Sequence, residues 1–334
     1  MAPVKPFLRP LIRRLSSQLW GKGRRSNAYI LQLSKPSTMK RSAFLAVPLM
    51  VAILLLPSVP LQRVVAHPDY EFSFPNFHFT ISPNGNVYQL ESPMGYEHIA
   101  EGFWGEGYTV VVSGEGDMVA YDVYGDSSDV TYVGSLVMQN TPSKVLVGTV
   151  TTAMDLIRID QFFVASKTSR YIGMKIVIRN IADYPLSGVV FKRWVDMDTD
   201  TGGSLGWSDF MNYFNYIKPL NLAYSYTSYA QGPPPGRTTH YFGMMGWPTV
   251  TTWDLDGWDD YDRRLTDGNV QTGPYLEDLA PILHWDVGTM APNSIKVFYV
   301  AYGIGDNMGE MLANTILGWQ AAMAIPYTIV PLPG

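Results

Sequence analysis

The first stretch with residues suited to chemistry is VDMDTDTGG, in which Asp196, Asp198 and Asp200 occupy every second position ahead of two glycines. If the preceding strand-like segment GVVFKRWV continues, these carboxylates share one face, with neighbours about 6.5 Å apart. Like charges at that spacing are unfavourable unless they are solvated, paired or bridged by a cation. If the chain turns at Asp198 instead, the same spacing can wrap a Ca²⁺ ion, which takes six to eight oxygen ligands.

A second acidic stretch, TWDLDGWDD, is similar to the Asp-x-Asp-Gly calcium loops of extracellular proteins. Gly257 permits a sharp turn between its acidic residues. The sequence thus predicts Ca²⁺ as a cofactor, and an ordinary solvated acidic loop is the alternative interpretation for each stretch. The predicted metal ligands are Asp196, Asp198, Asp200, Asp254, Asp256 and Asp259.

The same aspartates also support a catalytic interpretation. A glycoside hydrolase needs two carboxyl groups at a defined separation, one protonated and one ionised. Asp196 or Asp198 could form such a pair with Asp254 or Asp256, although the sequence does not fix the separation. Tryptophans near these stretches could stack on sugar rings. The candidate glycan-binding residues are Trp207, Trp253 and Trp258.

The elements that must position these residues are mostly strands. Period-two alternation of apolar residues runs from about 70 to 200 and resumes after 280, with turn residues at 83–86 and 114–117. Residues 201–280 have a looser pattern, which predicts a loop-rich insertion. A helix is predicted from Asn307 to Gln320, with Asp306 as its N-cap. The predicted fold is all-β: a large antiparallel β-sandwich with the insertion and a short C-terminal helix.

The N-terminal part of the chain predicts export. Residues 1–66 carry eleven basic and no acidic residues, and an apolar run lies within 42–61. Cleavage after Ala66 as a secretory signal, with translation from Met1 or Met39, is one interpretation, and an uncleaved signal anchor is the other. In both, residues 67–334 form a β-sandwich domain outside the cytoplasm, secreted or associated with the cell surface.

Composition excludes several classes of function. Residues 67–334 hold 13 basic and 29 acidic residues, so this acidic body would repel nucleic acid. The chain contains no cysteine, which excludes disulfides, zinc ribbons and thiol nucleophiles. The expected partners are a glycan or a surface protein, with self-assembly through sheet edges as a further option. Membrane contact is expected only through an uncleaved N-terminal segment.

Two segments carry a family resemblance, VVFKRWVDMDTDTGG and LHWDVGTMAPNSIKVFYVAYGIG. With the strands before them, they resemble exported β-sandwich proteins of the supersandwich type, as in galactose-mutarotase-like domains. The resemblance covers about residues 70–305 and contains no catalytic signature. It implies a sandwich architecture, extracellular placement and a link to carbohydrate, and no activity follows from it.

Two hypotheses for the function follow. The favoured one is an exported, non-catalytic cell-surface or matrix β-sandwich protein with Ca²⁺ loops and glycan binding, because no known catalytic motif is present. The alternative is a carbohydrate-active enzyme, similar to a glycoside hydrolase, that uses paired aspartates.

Overall fold

A computed structural model of the chain describes residues 69–99, 105–115, 118–123, 127–199, 212–227, 239–257, 275–276 and 279–327. The predictions for residues 1–66 lie outside this part. Among the described residues, the strands form three antiparallel sheets and one α-helix follows them. In chain order these elements are β1 Tyr70–Phe74, β2 Phe77–Ile81, β3 Val87–Glu91, β4 Glu106–Val112, β5 Met118–Val123, β6 Ser127–Ser128, β7 Val130–Asn140, β8 Lys144–Ala153, β9 Ile157–Ser166, β10 Tyr171–Asn180, β11 Leu186–Val195, β12 Asn212–Ile217, β13 Leu222–Thr227, β14 Tyr241–Trp247, β15 Thr252–Gly257, β16 Tyr275–Leu276, β17 Leu279–Met290, β18 Ile295–Gly305 and α1 Met308–Met323.

The two larger sheets form a sandwich. The nine-stranded sheet has the order β16-β12-β13-β14-β18-β10-β9-β8-β7, and the six-stranded sheet has the order β15-β17-β11-β4-β5-β6. Their inner faces share one apolar core, in which Phe191 of the smaller sheet stacks on Phe298 of the larger at 5.0 Å between ring centroids. The predicted all-β sandwich with a short C-terminal helix is confirmed.

The third sheet, β1-β2-β3, contains the predicted hairpin. Its turn lies at 83–86, where the amide of Ser82 donates to the carbonyl of Asn86 at 2.8 Å. Gly85 has a φ of +91°, a conformation that glycine adopts without a steric cost. The turn chemistry in the sequence therefore identified this hairpin correctly.

The range 201–280 contributes more regular structure than the sequence predicted. Among its described residues, β12, β13 and β14 extend the nine-stranded sheet and β15 and β16 lie at sheet edges. The segments NYFNYI, LAYSYT and YFGMMGW carry large or apolar side chains toward both faces, because one face meets the sandwich core and the other lies beside α1. Strands covered on both faces lose the polar alternation by which strands are usually recognised.

Helix α1 packs on the outer face of the nine-stranded sheet, against β18, β10 and β14. Its N-cap is Asn307, whose side chain accepts a hydrogen bond from the amide of Glu310 at 3.0 Å. The prediction of Asp306 as N-cap was wrong by one residue, because the Asp306 carboxylate instead binds Arg170. Within the described ranges, no helix is long and apolar enough to cross a membrane.

Glycines let α1 lie close to the sheet. A methyl group added at Gly303 of β18 would lie 2.7 Å from the Cα atom of Thr315 in the helix. We expect Gly303→Ala to lower the free energy of unfolding by about 2 kcal/mol, because the helix backbone must move to admit the methyl group. Chemical denaturation measures this change. Gly134→Ala is the control, since no other heavy atom lies within 4 Å there; equal losses for the two variants would contradict the packing.

A buried ion pair within the six-stranded sheet is hydrogen-bonded to the nine-stranded sheet. Arg193 of β11 and Glu106 of β4 are both fully buried and in contact. Arg193 also donates to Gln161 Oε1 at 2.7 Å and to the carbonyl of Gly85 at 3.0 Å, while Tyr302 donates to Glu106 Oε1 at 2.7 Å. The pair therefore holds the tip of the β2–β3 hairpin between the sheets.

A second buried carboxyl group fastens the end of the same hairpin. Glu97 Oε1 accepts hydrogen bonds from the amides of Leu90 (2.8 Å), Ile99 (3.0 Å) and His98 (3.1 Å). Burial raises the pKa of Glu97 to about 8, and the three backbone hydrogen bonds oppose this shift only in part. The folded protein therefore holds Glu97 protonated at neutral pH.

Candidate functional site

The first predicted aspartates lie where β11 ends. Asp196 follows Val195 directly, and its amide donates to the carbonyl of Gly105 at 2.7 Å. The Asp196 side chain is buried, whereas Asp198 is half-buried and its Oδ1 lies 3.4 Å from Nδ2 of Asn212. Of the three alternating carboxylates, Asp196 and Asp198 thus lie among the described residues, and Asp200 lies outside them.

The second acidic stretch begins as a strand at the edge of the six-stranded sheet. Within β15, Asp254 pairs with Ile282 and Asp256 pairs with Ala280 of β17. Trp253 is in the same strand, and the side chains of these three residues are outside the described part. Asp259, Trp207 and Trp258 lie outside the described residues altogether.

The sheet register brings the two acidic stretches to the same level. Trp194, the last residue of β11 paired with β17, lies opposite Ile282. On the other side of β17, Asp256 pairs with Ala280. If the β11 register is continued by two residues, Asp196 is level with Ala280, and the backbones of Asp196 and Asp256 are then two strand spacings apart, about 9.5 Å. Among the side chains that the structure describes, no group of three or more His, Asp or Glu residues could hold a metal ion.

A pocket of about 660 Å³ opens at one end of the nine-stranded sheet. Five separate parts of the chain line it: the β1–β2 turn at 74–77, Pro93 after β3, the β9–β10 turn at 167–170, the approach to β14 at His240, and the start of α1. A volume of this size suits a small organic ligand. The polar groups of the pocket come mainly from Arg170, Asp306 and Glu310.

An ion-pair network forms one wall of the pocket. Arg170 donates to Asp306 Oδ1 at 2.7 Å and also binds Glu310 Oε1, so one guanidinium bridges two carboxylates. The backbone amide of Asp306 donates to Glu310 Oε2 at 3.1 Å, and His240 Nε2 lies 3.5 Å from Asp306 Oδ1. Asp306 and Glu310 are close together because both lie at the N-terminal end of α1. The acidic side chain of Glu310 in the first turn also interacts favourably with the helix dipole.

These contacts keep Asp306 and Arg170 ionised. The hydrogen bond from Arg170 lowers the pKa of Asp306, assisted by the positive charge of the same guanidinium and opposed by burial. Burial acts to lower the pKa of Arg170, but the two carboxylates outweigh it and the pKa is raised. Asp306 is therefore a hydrogen-bond acceptor at neutral pH and has no proton to donate.

Two aromatic side chains of the β1–β2 turn also line the pocket. Phe74 is half-buried in the β1–β2 turn, and the ammonium group of Lys167 lies 5.8 Å from its ring centroid. Phe77 also lines the pocket, and Asn76 is exposed at the rim. Lys167 donates to Asn140 Oδ1 at 2.5 Å, so its ammonium group already has a hydrogen-bond partner within the protein.

The pocket residues were not among the site residues predicted from the sequence. They come from segments up to 240 residues apart in the chain, and none belongs to a recognisable motif. A sequence signal that could have indicated the pocket was the Asp-Asn-x-x-Glu start of the predicted helix, at 306–310, because it places several hydrogen-bond acceptors at one end of the helix.

No family model matches the chain, and no curated protein matches it. Solved structures similar to it include a bacterial glucoamylase complexed with acarbose (12% identity, TM-score 0.49, 77% of this chain and 36% of that one). Others are an aldose epimerase homologue from C. elegans (9%, 0.39, 71% and 98%) and galactose 1-epimerase from Lactobacillus acidophilus (7%, 0.38, 71% and 94%). The chain thus spans about a third of the glucoamylase. The solved structures similar to the chain thus include galactose-mutarotase-like proteins, which the sequence was expected to resemble, and no activity follows from the similarity.

Proposed function

We propose that this protein is an exported, non-catalytic β-sandwich protein that binds an uncharged saccharide in the pocket between the β1–β2 turn and the start of α1. The observation that carries the proposal is the pairing of an ionised wall, Arg170 with Asp306 and Glu310, with an aromatic side at Phe74. Export rests on the basic and apolar segment within residues 1–66.

The charges of the pocket favour an uncharged ligand. Arg170 is neutralised by Asp306 and Glu310, and Lys167 is hydrogen-bonded to Asn140. A phosphate or carboxylate ligand that binds Arg170 would have to displace Asp306 or Glu310 and leave that carboxylate without its counter-charge, which is costly. A polyhydroxylated ligand can instead add hydrogen bonds to the oxygens that the ion pairs leave accessible.

A sugar also matches the two-sided character of the pocket. Its hydroxyl groups can donate to carboxylates, and hydrogen bonds to charged acceptors are among the strong ones. Its C–H faces are apolar and can pack on an aromatic ring such as Phe74. The ionised state of Asp306 supports binding rather than hydrolysis, because hydrolysis needs a protonated carboxyl group beside an ionised one.

The test is a binding experiment with an array of neutral and acidic oligosaccharides, followed by calorimetric titration of the best neutral one. We expect Asp306→Asn to weaken binding about tenfold or more, since hydrogen bonds to charged groups contribute about 1.5–3 kcal/mol. Asn76→Ala, at the exposed rim, should weaken binding by a smaller factor.

The matched control is Asp183→Asn, an exposed carboxylate in the 181–185 turn and not among the pocket residues. It should bind as the unmodified protein does. Unchanged affinity in Asp306→Asn, with a normal melting temperature, would exclude this pocket as the binding site. A preference for acidic over neutral oligosaccharides would contradict the charge argument.

A glycoside hydrolase is the second candidate, and the sheet register is the observation that favours it. Asp256 pairs with Ala280, and continuing the register of β11 by two residues brings Asp196 level with Ala280 on the other side, with the two backbones about 9.5 Å apart. Carboxyl groups of an inverting enzyme are about 6.5–9.5 Å apart, a separation that side chains on such backbones can reach. Ca²⁺ binding by the two acidic stretches stays a prediction.

A further inference from the structure

The outward face of α1 is unusual for a surface helix. Helical spacing places seven residues within one stripe of about 120°: Gly309, Ala313, Ile316, Leu317, Gln320, Met323 and the C-cap Ala324. Leu317 is 45% exposed and Met323 is 46% exposed. A helix that is apolar on its outer as well as its inner face is normally covered by another surface.

Charge distinguishes this face from the rest of the protein. Residues 311–327 contain no charged side chain, whereas residues 67–334 carry 29 acidic and 13 basic residues. Glu310 is the one charged residue in the α1 sequence, and it forms an ion pair with Arg170. Two acidic bodies repel each other over most of their surfaces, and this repulsion is weakest where two uncharged helices face one another.

The geometry points to a second copy of this chain as the occupant: we infer that α1 pairs with α1 of a second molecule about a two-fold axis. A two-fold contact requires a face that is complementary to itself. In an antiparallel pair centred between Ile316 and Leu317, each of these residues lies opposite the other in the second copy. Ala313 then lies opposite Gln320, so that a small side chain meets a longer one.

The antiparallel arrangement also satisfies the helix dipoles. It sets the positive N-terminal end of each helix beside the negative C-terminal end of the other, which is favourable. Trp247 of β14 is 46% exposed and lies beside Trp319, with 6.1 Å between ring centroids, so the apolar patch continues from the helix onto the sheet.

The size of the face predicts a weak dimer. A helix of 16 residues is about 24 Å long and about 10 Å wide. Such a contact is small beside the roughly 800 Å² per partner of a standard interface, even with the neighbouring tryptophan. We therefore expect a dissociation constant in the micromolar range, about 10⁻⁶ to 10⁻⁴ M.

The experiment is sedimentation equilibrium of the protein purified after expression of the full chain, at concentrations from about 1 to 100 μM. We expect a monomer–dimer equilibrium that Leu317→Glu shifts to monomer by at least about tenfold. The matched control is Tyr184→Glu, because Tyr184 is 39% exposed and belongs to the 181–185 turn between β10 and β11 and not to α1. This control should dimerise as the unmodified protein does.

A second measurement uses the absence of cysteine. Leu317→Cys should form covalent dimers with a short bifunctional thiol reagent, and Tyr184→Cys should not. A protein that stays monomeric at 100 μM, or a dimer that persists in Leu317→Glu, would overturn the inference. A monomer that binds phosphatidylcholine vesicles through Leu317 would assign the face to lipid and would also overturn it.

Discussion

Replacing Arg193 with Met is expected to lower the free energy of unfolding by about 3–5 kcal/mol. The variant removes the positive partner of Glu106 and leaves that carboxylate buried between the sheets. It also removes the hydrogen bonds to Gln161 and to the carbonyl of Gly85, which hold the hairpin tip. Denaturant unfolding followed by circular dichroism measures the loss.

The loss should depend on pH. Burial raises the pKa of Glu106 to about 7 even with Arg193 present, so without Arg193 the carboxyl group will take up a proton more readily. The variant should therefore lose less stability at pH 5 than at pH 8. Arg193→Met with Glu106→Gln should be more stable than the sum of the single changes. A loss below about 1 kcal/mol for Arg193→Met at pH 8 would contradict the role of the ion pair.

The second large effect concerns Glu97. Its pKa is about 8 in the folded protein, against an ordinary value of 4.5, so the folded state binds a proton that the unfolded state has released between these two pH values. The contribution of Glu97 to stability is then greatest below about pH 4.5 and falls by about 1.4 kcal/mol per pH unit until about pH 8. Glu97→Gln should remove this contribution and leave that of Glu106 in place.

The variant should gain up to a few kcal/mol relative to the unmodified protein at pH 8 and be similar to it at pH 5, because Gln keeps an oxygen for the three backbone amides. Thermal melts from pH 5 to 9 measure both curves. Asp183→Asn, which changes an exposed carboxylate, controls for the altered net charge. Parallel curves for Glu97→Gln and the unmodified protein would show that Glu97 is not protonated in the fold.

The sequence predicted the sandwich and the hairpin because local rules determine them. Alternation from 70 to 200 corresponds to strands, and Pro83-Asn84-Gly85-Asn86 forms the expected turn. The strands in 201–280 escaped detection because tyrosines and methionines occupy both of their faces. Alternation of polar and apolar residues indicates a strand that is buried on one face only. The alternation is therefore lost where α1 covers the other face of the sheet.

The pocket could not be predicted from the sequence because it depends on long-range packing. Arg170 and Asp306 are 136 residues apart, and only the pairing of β10 with β18 brings their strand ends together. The acidic stretches were conspicuous because their residues are neighbours in the chain. Asp196 is nevertheless buried at the end of β11, where a solvated loop was one expectation.

The most direct test of the proposed pocket is a crystal structure with the neutral oligosaccharide that binds most tightly on the array. We expect a sugar ring against Phe74, with hydroxyl groups donating to Asp306 and Glu310. A sugar bound instead between β11 and β15, near Asp196 and Asp256, would contradict the proposed site and favour the glycoside hydrolase.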